Sequence, residues 1–315
     1  MATQSSAQTR YLTTNGVKYA YRLIGHTAAD QTTTLPLLML NHFRANIDLW
    51  DPQVIDPLAA SRLLVTYDYA GMGHSSGEVP RSIKGFSQHV HAFLLALLPE
   101  LGVEKVDILG FSLGGYIAQQ LVLDAPSLVR KLVLSGTGPS FGPDLHRAMA
   151  EVQAAICAPI PSGPAVIDAF FPSFTAKEAG EAWLNRTLAA RQALAGKDGE
   201  PEWAFFLTGD GVPNIVEAFL AWDADPLPYA LLGTIQKDVL VTAGQNDLIV
   251  PSQNAYVLSR QLQRANLVVY PGSGHGHLFQ YAAFYTRQVI SFLDGEWPVP
   301  PFSAGEIRPL GTLGE

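Results

Sequence analysis

Short, nearly unbroken apolar runs at Leu35–Leu40, Leu63–Tyr67, Val106–Leu109, Leu132–Ser135, Val239–Thr242 and Asn266–Tyr270 constrain this chain more than any other feature. Runs of that length without polar alternation suit strands covered on both faces. Most are separated by stretches with helical spacing, Asp51–Ala60, Ile83–Leu98, Tyr116–Asp124, Gln253–Leu262 and Leu278–Leu293. Strand then helix, repeated, predicts an α/β fold: a doubly wound, mostly parallel sheet with helices on both faces. Upstream of it, Tyr11–Thr14 and Val17–Leu23 read as a hairpin turning at Asn15-Gly16.

One interval breaks the rhythm. Between about Gly138 and Thr234 there is no strand-like run, only helical stretches carrying Phe170-Phe171, Trp183, Trp203, Phe205-Phe206 and Trp222. An insertion at the carboxyl edge of such a sheet lies over the crevice where ligands bind. The expected organisation is a core of residues 1–137 and 235–295, a helical cap of 138–234, and a tail of 296–315. The tail is rich in Pro and Gly without periodicity, and no chemistry is assigned to it.

Composition narrows the function classes. With 48% hydrophobic residues the chain has ample material for a core, and its net charge of -8 offers no attraction for nucleic acid or an anionic membrane surface. The single cysteine, Cys157, excludes an internal disulfide, and "MATQSSAQTR" lacks an apolar signal core. A cytoplasmic protein acting on a small molecule is expected, with no nucleic-acid or membrane partner and with a homodimer left open. His89 and His91 stand two apart on a helical stretch and cannot share a ligand, and no spacing elsewhere suits zinc, so no metal and no cofactor are expected.

Chemistry concentrates where strands end. In "DILGFSLGGYIAQQ", Gly110-Phe111-Ser112-Leu113-Gly114 sits at a strand-to-helix corner and fits the G-x-S-x-G pattern that presents a nucleophilic serine above the first amides of a helix. An activated serine needs a base and a group that holds the base. "VVYPGSGHGHLFQY" places His275 in a glycine-fenced loop after a strand, while the competing His277 leads into a helix. "VTAGQNDLIVP" places Asp247 after the preceding strand; the loop Ser135-Gly136-Thr137-Gly138 has no carboxylate to replace it. The order Ser112, Asp247, His275 matches this architecture. "LLMLNHFRANIDLWDP" offers the second oxyanion amide at Phe43, beside that of Leu113. "YDYAGMGHSSG" lacks the third glycine of a dinucleotide site and reads as structural.

Together "NHFRANIDLW", "YDYAGMGHSSG", "GFSLGGYIAQQ", "GQNDLIVP" and "GSGHGHLFQY", spanning Asn41–Tyr281, resemble the α/β-hydrolase superfamily, specifically its capped esterase, lactonase and cofactor-free haloperoxidase-like members. The resemblance implies a Ser112–His275–Asp247 triad but no particular substrate. Where relatives carry His-Gly at the oxyanion loop this chain has His42-Phe43-Arg44, which leaves the amides of Phe43 and Arg44 both open. Ser112 at the elbow argues against epoxide hydrolase and haloalkane dehalogenase chemistry, which use Asp there. The expected function is hydrolysis of an ester or lactone of a small, largely apolar molecule. C–C bond hydrolysis, a lyase on the same triad, and a ligand-binding receptor with little turnover are the alternatives. His42, Arg44, Trp183, Trp203, Phe206 and Trp222 are the expected pocket residues.

Overall fold

The computed structural model describes residues 1–25, 34–158, 163–192 and 194–298. Its strands are β1 (Arg10–Thr14), β2 (Val17–Ile24), β3 (Leu37–Leu40), β4 (Leu64–Tyr67), β5 (Val106–Phe111), β6 (Val129–Ser135), β7 (Asp238–Gly244) and β8 (Ala265–Tyr270). They form one sheet in the order β1-β2-β4-β3-β5-β6-β7-β8. The hairpin β1–β2 and the β2–β4 pair are antiparallel, with Leu12 opposite Tyr19 and Leu23 opposite Val65. Every other pair is parallel. The architecture is the doubly wound, mostly parallel α/β sheet expected from the sequence.

The helices are α1 (Pro52–Ser61), α2 (Ile83–Leu101), α3 (Leu113–Asp124), α4 (Ala150–Cys157), α5 (Gly163–Phe170), α6 (Ser173–Gln192), α7 (Gly211–Trp222), α8 (Pro226–Leu231), α9 (Gln253–Gln261), α10 (His277–Gln280) and α11 (Ala282–Asp294). The two faces of the sheet are legible in the pleat: Leu38 and Leu40 point into one buried cluster with α2 and α3, while Leu37 and Met39 point into another with α1 and α11. β5 is buried along its whole length, as an apolar strand between two covered faces must be.

Elements differ from the sequence reading mainly at their ends. α3 starts at Leu113 rather than Tyr116, because the helix begins directly after the corner at Ser112. The single stretch Leu278–Leu293 is two helices, interrupted at Tyr281, whose φ of -110° and ψ of 32° leave the helical region. The polar N-terminus docks: Gln4 is buried, its N–H donating to Asp56 Oδ1 (2.7 Å) and its amide to Ile47 O (2.9 Å). Residues 299–315 of the expected tail lie outside the described residues. No strand occurs among the described residues between β6 and β7; α4 to α8 occupy that stretch. No helix among the described residues is long and apolar enough to cross a membrane.

One consequence of strand order positions the site. From β3 the chain moves outward to β4, then crosses back to place β5 on the other side of β3. At such a switch point the loops leaving two adjacent parallel strands turn apart and open a crevice at their carboxyl ends. The loops after β3 and β5 are those that carry Phe43 and Ser112.

Candidate active site

Ser112 occupies a backbone conformation that side chains rarely adopt, φ 55° and ψ -117°. The surroundings enforce it: Ser112 N–H donates to Ser135 O (2.8 Å), and Gly115 N–H to Ser112 O (2.8 Å). A Cβ at Gly110 would overlap the Gly114 carbonyl, one at Gly114 would overlap the Leu40 carbonyl at the end of β3, and one at Gly115 would strike Thr137. Crowding by backbone, on both sides of the serine, is thus the physical reason for glycines in this corner. Strain held so firmly makes Ser112 a candidate functional position. Leu113 is the first residue of α3, so its N–H is among the donors that a helix start leaves without an intrahelical acceptor.

Asp247 and His275 stand at the ends of β7 and β8. Asp247 Oδ1 accepts from the N–H groups of Ile249 and Val250 (both 2.9 Å), and Oδ2 accepts from His275 Nδ1 at 2.7 Å, with both side chains buried. The carboxylate is therefore fixed by its own loop, and it fixes the imidazole. The glycines around His275 serve close approach: a Cβ at Gly276 would strike Phe171, one at Gly274 would strike Pro172, and Gly276 N–H donates to Phe170 O (2.9 Å). They let the inserted helices pack against the histidine loop.

His277 lies elsewhere. Its Nε2 is 3.0 Å from Thr242 Oγ1 and its Nδ1 3.2 Å from the His275 carbonyl, within a chain of hydroxyls that continues through Ser135 to Tyr285. Burial first, and electrostatic interaction with the neighbouring His275 second, lower its pKa to about 3, so it stays neutral.

Ser112 and His275 share the wall of one cavity with about 560 Å³ of empty space, its open mouth included. The loop after β3 adds His42, Phe43 and Arg44, and Ile249 comes from the Asp247 loop. The remaining wall is Ala155, Ile156, Val166, Ala169, Phe170 and Phe206, all from the stretch between β6 and β7. His275 packs between Phe111 and Phe170, ring centroids 4.9 and 5.0 Å away, and His42 meets the same two rings at 5.1 and 5.2 Å. His275 is held at Nδ1 by Asp247, and no hydrogen bond joins its ring to Ser112 Oγ.

Of the aromatic residues expected in the pocket, Phe206 lines it and three do not. Trp183 is wholly buried, stacked on Phe279 (5.2 Å) and Phe170 (5.7 Å), one layer behind the wall. Trp203 packs on Phe205 (5.3 Å). Trp222 stacks on Tyr116 (5.5 Å) in the core cluster of the opposite sheet face. Trp183 and Trp222 are core side chains, where their bulk and apolarity are buried, and Trp203 is half-buried against one of the core clusters. Phe170, Ile249 and the small residues of α4 and α5 were missed, because nothing in a local pattern marks the side of a helix that meets a cavity. Asp225 caps α8, accepting from Leu227 N–H (2.9 Å).

A further set of hydrogen bonds locks the loop after β3. Asp48 accepts from Arg22 Nη2 (2.6 Å) and Ala204 N–H (3.0 Å) and pairs with His74 Nε2 (2.9 Å). Asp68 accepts from Ile47 N–H (2.7 Å) and His74 N–H (2.9 Å). "YDYAGMGHSSG" is structural in this sense: it pins the neighbouring loop. Arg44, at φ 63°, extends its guanidinium to Leu207 O (2.8 Å) and Ala158 O (2.5 Å). No group of residues able to hold a metal occurs among the described residues.

A strained serine on a strand–helix corner, a buried Asp–His pair at the next two strand ends and a switch-point crevice agree with the comparison to known families: the model of the alpha/beta hydrolase family matches residues 43–287. The chain belongs to that family. Among curated proteins it is similar to "Putative carbamate hydrolase RutD" of Pseudomonas savastanoi pv. phaseolicola, 25% identical over 266 residues that cover 84% of this chain and 96% of the relative. The protein of that name from Agrobacterium fabrum is 27% identical over 273 residues, 87% of this chain and 97% of the relative. Among solved structures, an alpha/beta hydrolase fold protein from Chitinophaga pinensis superimposes with a TM-score of 0.80 at 29% identity, covering 93% of this chain and 99% of that one.

Proposed function

We propose that this α/β-hydrolase cleaves an ester or lactone of a small, largely apolar molecule through Ser112, His275 and Asp247. The observation that carries the reading is the His275–Asp247 hydrogen bond, 2.7 Å, beside a cavity whose wall also holds the strained Ser112. Ser112 Oγ attacks the carbonyl carbon while His275 Nε2 takes its proton. Asp247 keeps the imidazole proton on Nδ1 and stabilises the cation. The amide of Leu113, with that of Phe43 or Arg44, receives the oxyanion. His275 returns the proton to the leaving alkoxide, and water then releases the acyl group by the same route reversed. No cofactor takes part in these steps.

Residues 138–234 act as a cap over a core of 1–137 and 235–295. Its side chains supply half of the cavity wall, which keeps water scarce around the oxyanion and strengthens each charge interaction. A second reading, hydrolysis of a carbamate, is favoured by the names of the curated relatives; the attacked carbonyl and the roles of the residues would be the same.

The test is a p-nitrophenyl ester series followed by mass spectrometry of the quenched enzyme. The expected result is turnover with an acyl adduct on Ser112. Tight ligand binding without adduct or turnover would replace this reading with that of a receptor.

A further inference from the structure

Resting on the hydrolytic reading, the structure carries one step further, to what holds the cavity wall in place. Phe206 lines the same cavity as Ser112, yet it belongs to no helix and lies in the stretch between α6 and α7. A side chain on irregular backbone keeps a fixed place only where that backbone is tied down. For Phe206 the ties come from the loop after β3. Asp48 Oδ2 accepts from Ala204 N–H (3.0 Å), and Asn46 Nδ2 donates to Ala204 O (3.1 Å) and Phe205 O (2.7 Å). Leu207 exchanges two bonds with Arg44, its N–H donating to Arg44 O and its carbonyl accepting from Arg44 Nε, both at 2.8 Å. The backbone is thus held on both sides of Phe206.

Among these anchors Asn46 has the narrowest role. Arg44 itself lines the cavity, and Asp48 also binds Arg22 and His74. Asn46 is 2% exposed and uses both ends of its amide: Oδ1 accepts from Asp48 N–H (2.8 Å), capping the single helical turn Ile47–Leu49, while Nδ2 faces the two carbonyls. One orientation alone satisfies all three bonds, since the reverse sets an oxygen against two carbonyls and an amino group against an N–H. The residue type follows from this. Serine caps such a turn but has no second polar atom for the insertion, and aspartate caps it but repels the carbonyls.

We propose that Asn46 is a positioning residue for substrate choice: through the carbonyls of Ala204 and Phe205 it sets how far the Phe206 ring intrudes into the cavity, and so which acyl chain lengths are accepted. Asn46 is not part of the cavity wall and acts through Phe206. An apolar pocket discriminates by roughly 10- to 200-fold per methylene, so a displaced ring registers in the ranking of acyl groups.

The readout is the ratio of kcat/KM for p-nitrophenyl butyrate to that for the acetate, in which any loss shared by both esters cancels. Asn46→Ser keeps the cap and removes the two bonds to the insertion; it is expected to move this ratio by about tenfold, in the same direction as Phe206→Ala. Once Phe206 is alanine there is no ring left to place, so adding Asn46→Ser to Phe206→Ala is expected to change the ratio by less than about twofold. A general loss of stability would not produce that dependence. A ratio unchanged in Phe206→Ala or in Asn46→Ser, or equal shifts from Asn46→Ser with and without the Phe206 ring, overturns the proposal. Asn46→Asp, which keeps the cap and the shape of the side chain, serves if Asn46→Ser does not fold. If neither folds, Asn46 belongs to the fold and not to substrate choice, and the proposal is overturned. The underlying reading fails separately, if Ser112→Ala turns over both esters like the wild type. If the wild type hydrolyses neither ester, both are overturned.

Discussion

The carboxyl edge of the sheet and the helices between β6 and β7 meet in one cavity, yet they are built to different tolerances. On the sheet side every candidate catalytic atom hangs from backbone with no freedom: Ser112 is tied to Ser135 across the sheet, the corner glycines have no room for a methyl, and Asp247 is held by two amides. On the inserted side α4 buries none of its residues, α6 bends at Ala176, and the wall is made of whatever faces inward from well-packed aromatics. Bond-making geometry tolerates errors of only a fraction of an ångström, so it sits where the strand ladder fixes positions. Shape and dryness tolerate more, and helices packed on a rigid base supply them.

The comparison is broken most directly at Ser112. Ser112→Ala is expected to lower kcat for p-nitrophenyl esters by at least about 10⁴ with the far-ultraviolet circular dichroism unchanged, because no other group replaces the nucleophile. A fall of less than tenfold would move the chemistry away from the sheet edge. Asp247→Asn is expected to cost about 10⁴ in kcat, since the amide favours the wrong imidazole tautomer while its oxygen still accepts from Ile249 and Val250. Near-wild-type turnover in that variant would mean that the acid lies elsewhere.

His277 sharpens the picture of the sheet side as rigid and dry. Its folded-state pKa, about 3, lies below the 6.5 of an exposed histidine. A depressed pKa contributes stability that is fully present above pH 6.5 and lost as pH falls toward 3, roughly 5 kcal/mol in all. His277→Gln is expected to lose less stability than the wild type across that window in urea unfolding. An identical pH profile would mean that the group is not held neutral by burial.

Trp183 tests the inserted side. Wholly buried against Phe170, Phe171 and Phe279, it joins the insertion to the helix that follows the histidine loop. Trp183→Ala is expected to cost about 3–5 kcal/mol in thermal or urea unfolding. A loss under 1 kcal/mol would show the insertion to be loosely attached. The smallest effect is expected at Phe206, the one of the four aromatics first expected to line the cavity that does so. Phe206→Ala is expected to shift acyl-chain preference in kcat/KM by about 1–3 kcal/mol, while Trp203→Ala and Trp222→Ala leave the ranking as it is. Equal shifts in all three would mean that the wall extends beyond the present cavity.

The difference between the two regions is also a difference in legibility. Strands β3 to β8 are apolar runs that only a sheet covered on both faces accommodates, and the glycines around Ser112 announce crowding by backbone. Those signals are local, so the sequence carries them. The insertion offered only helical spacing and scattered aromatics, and a tryptophan looks the same in sequence whether it faces a neighbour or a ligand. Trp183 and Trp222 were drawn into core clusters on opposite faces of the sheet by contacts with Phe279 and Tyr116, residues some hundred positions away in the chain.

By itself, the sequence determined a doubly wound sheet and the three candidate groups at its carboxyl edge, because strand periodicity and turn chemistry act over a few residues. Only the tertiary structure decided which side chains form the cavity wall and that the glycines beside His275 make room for Phe171 and Pro172. Those outcomes depend on how distant segments pack in three dimensions. No local pattern encodes them.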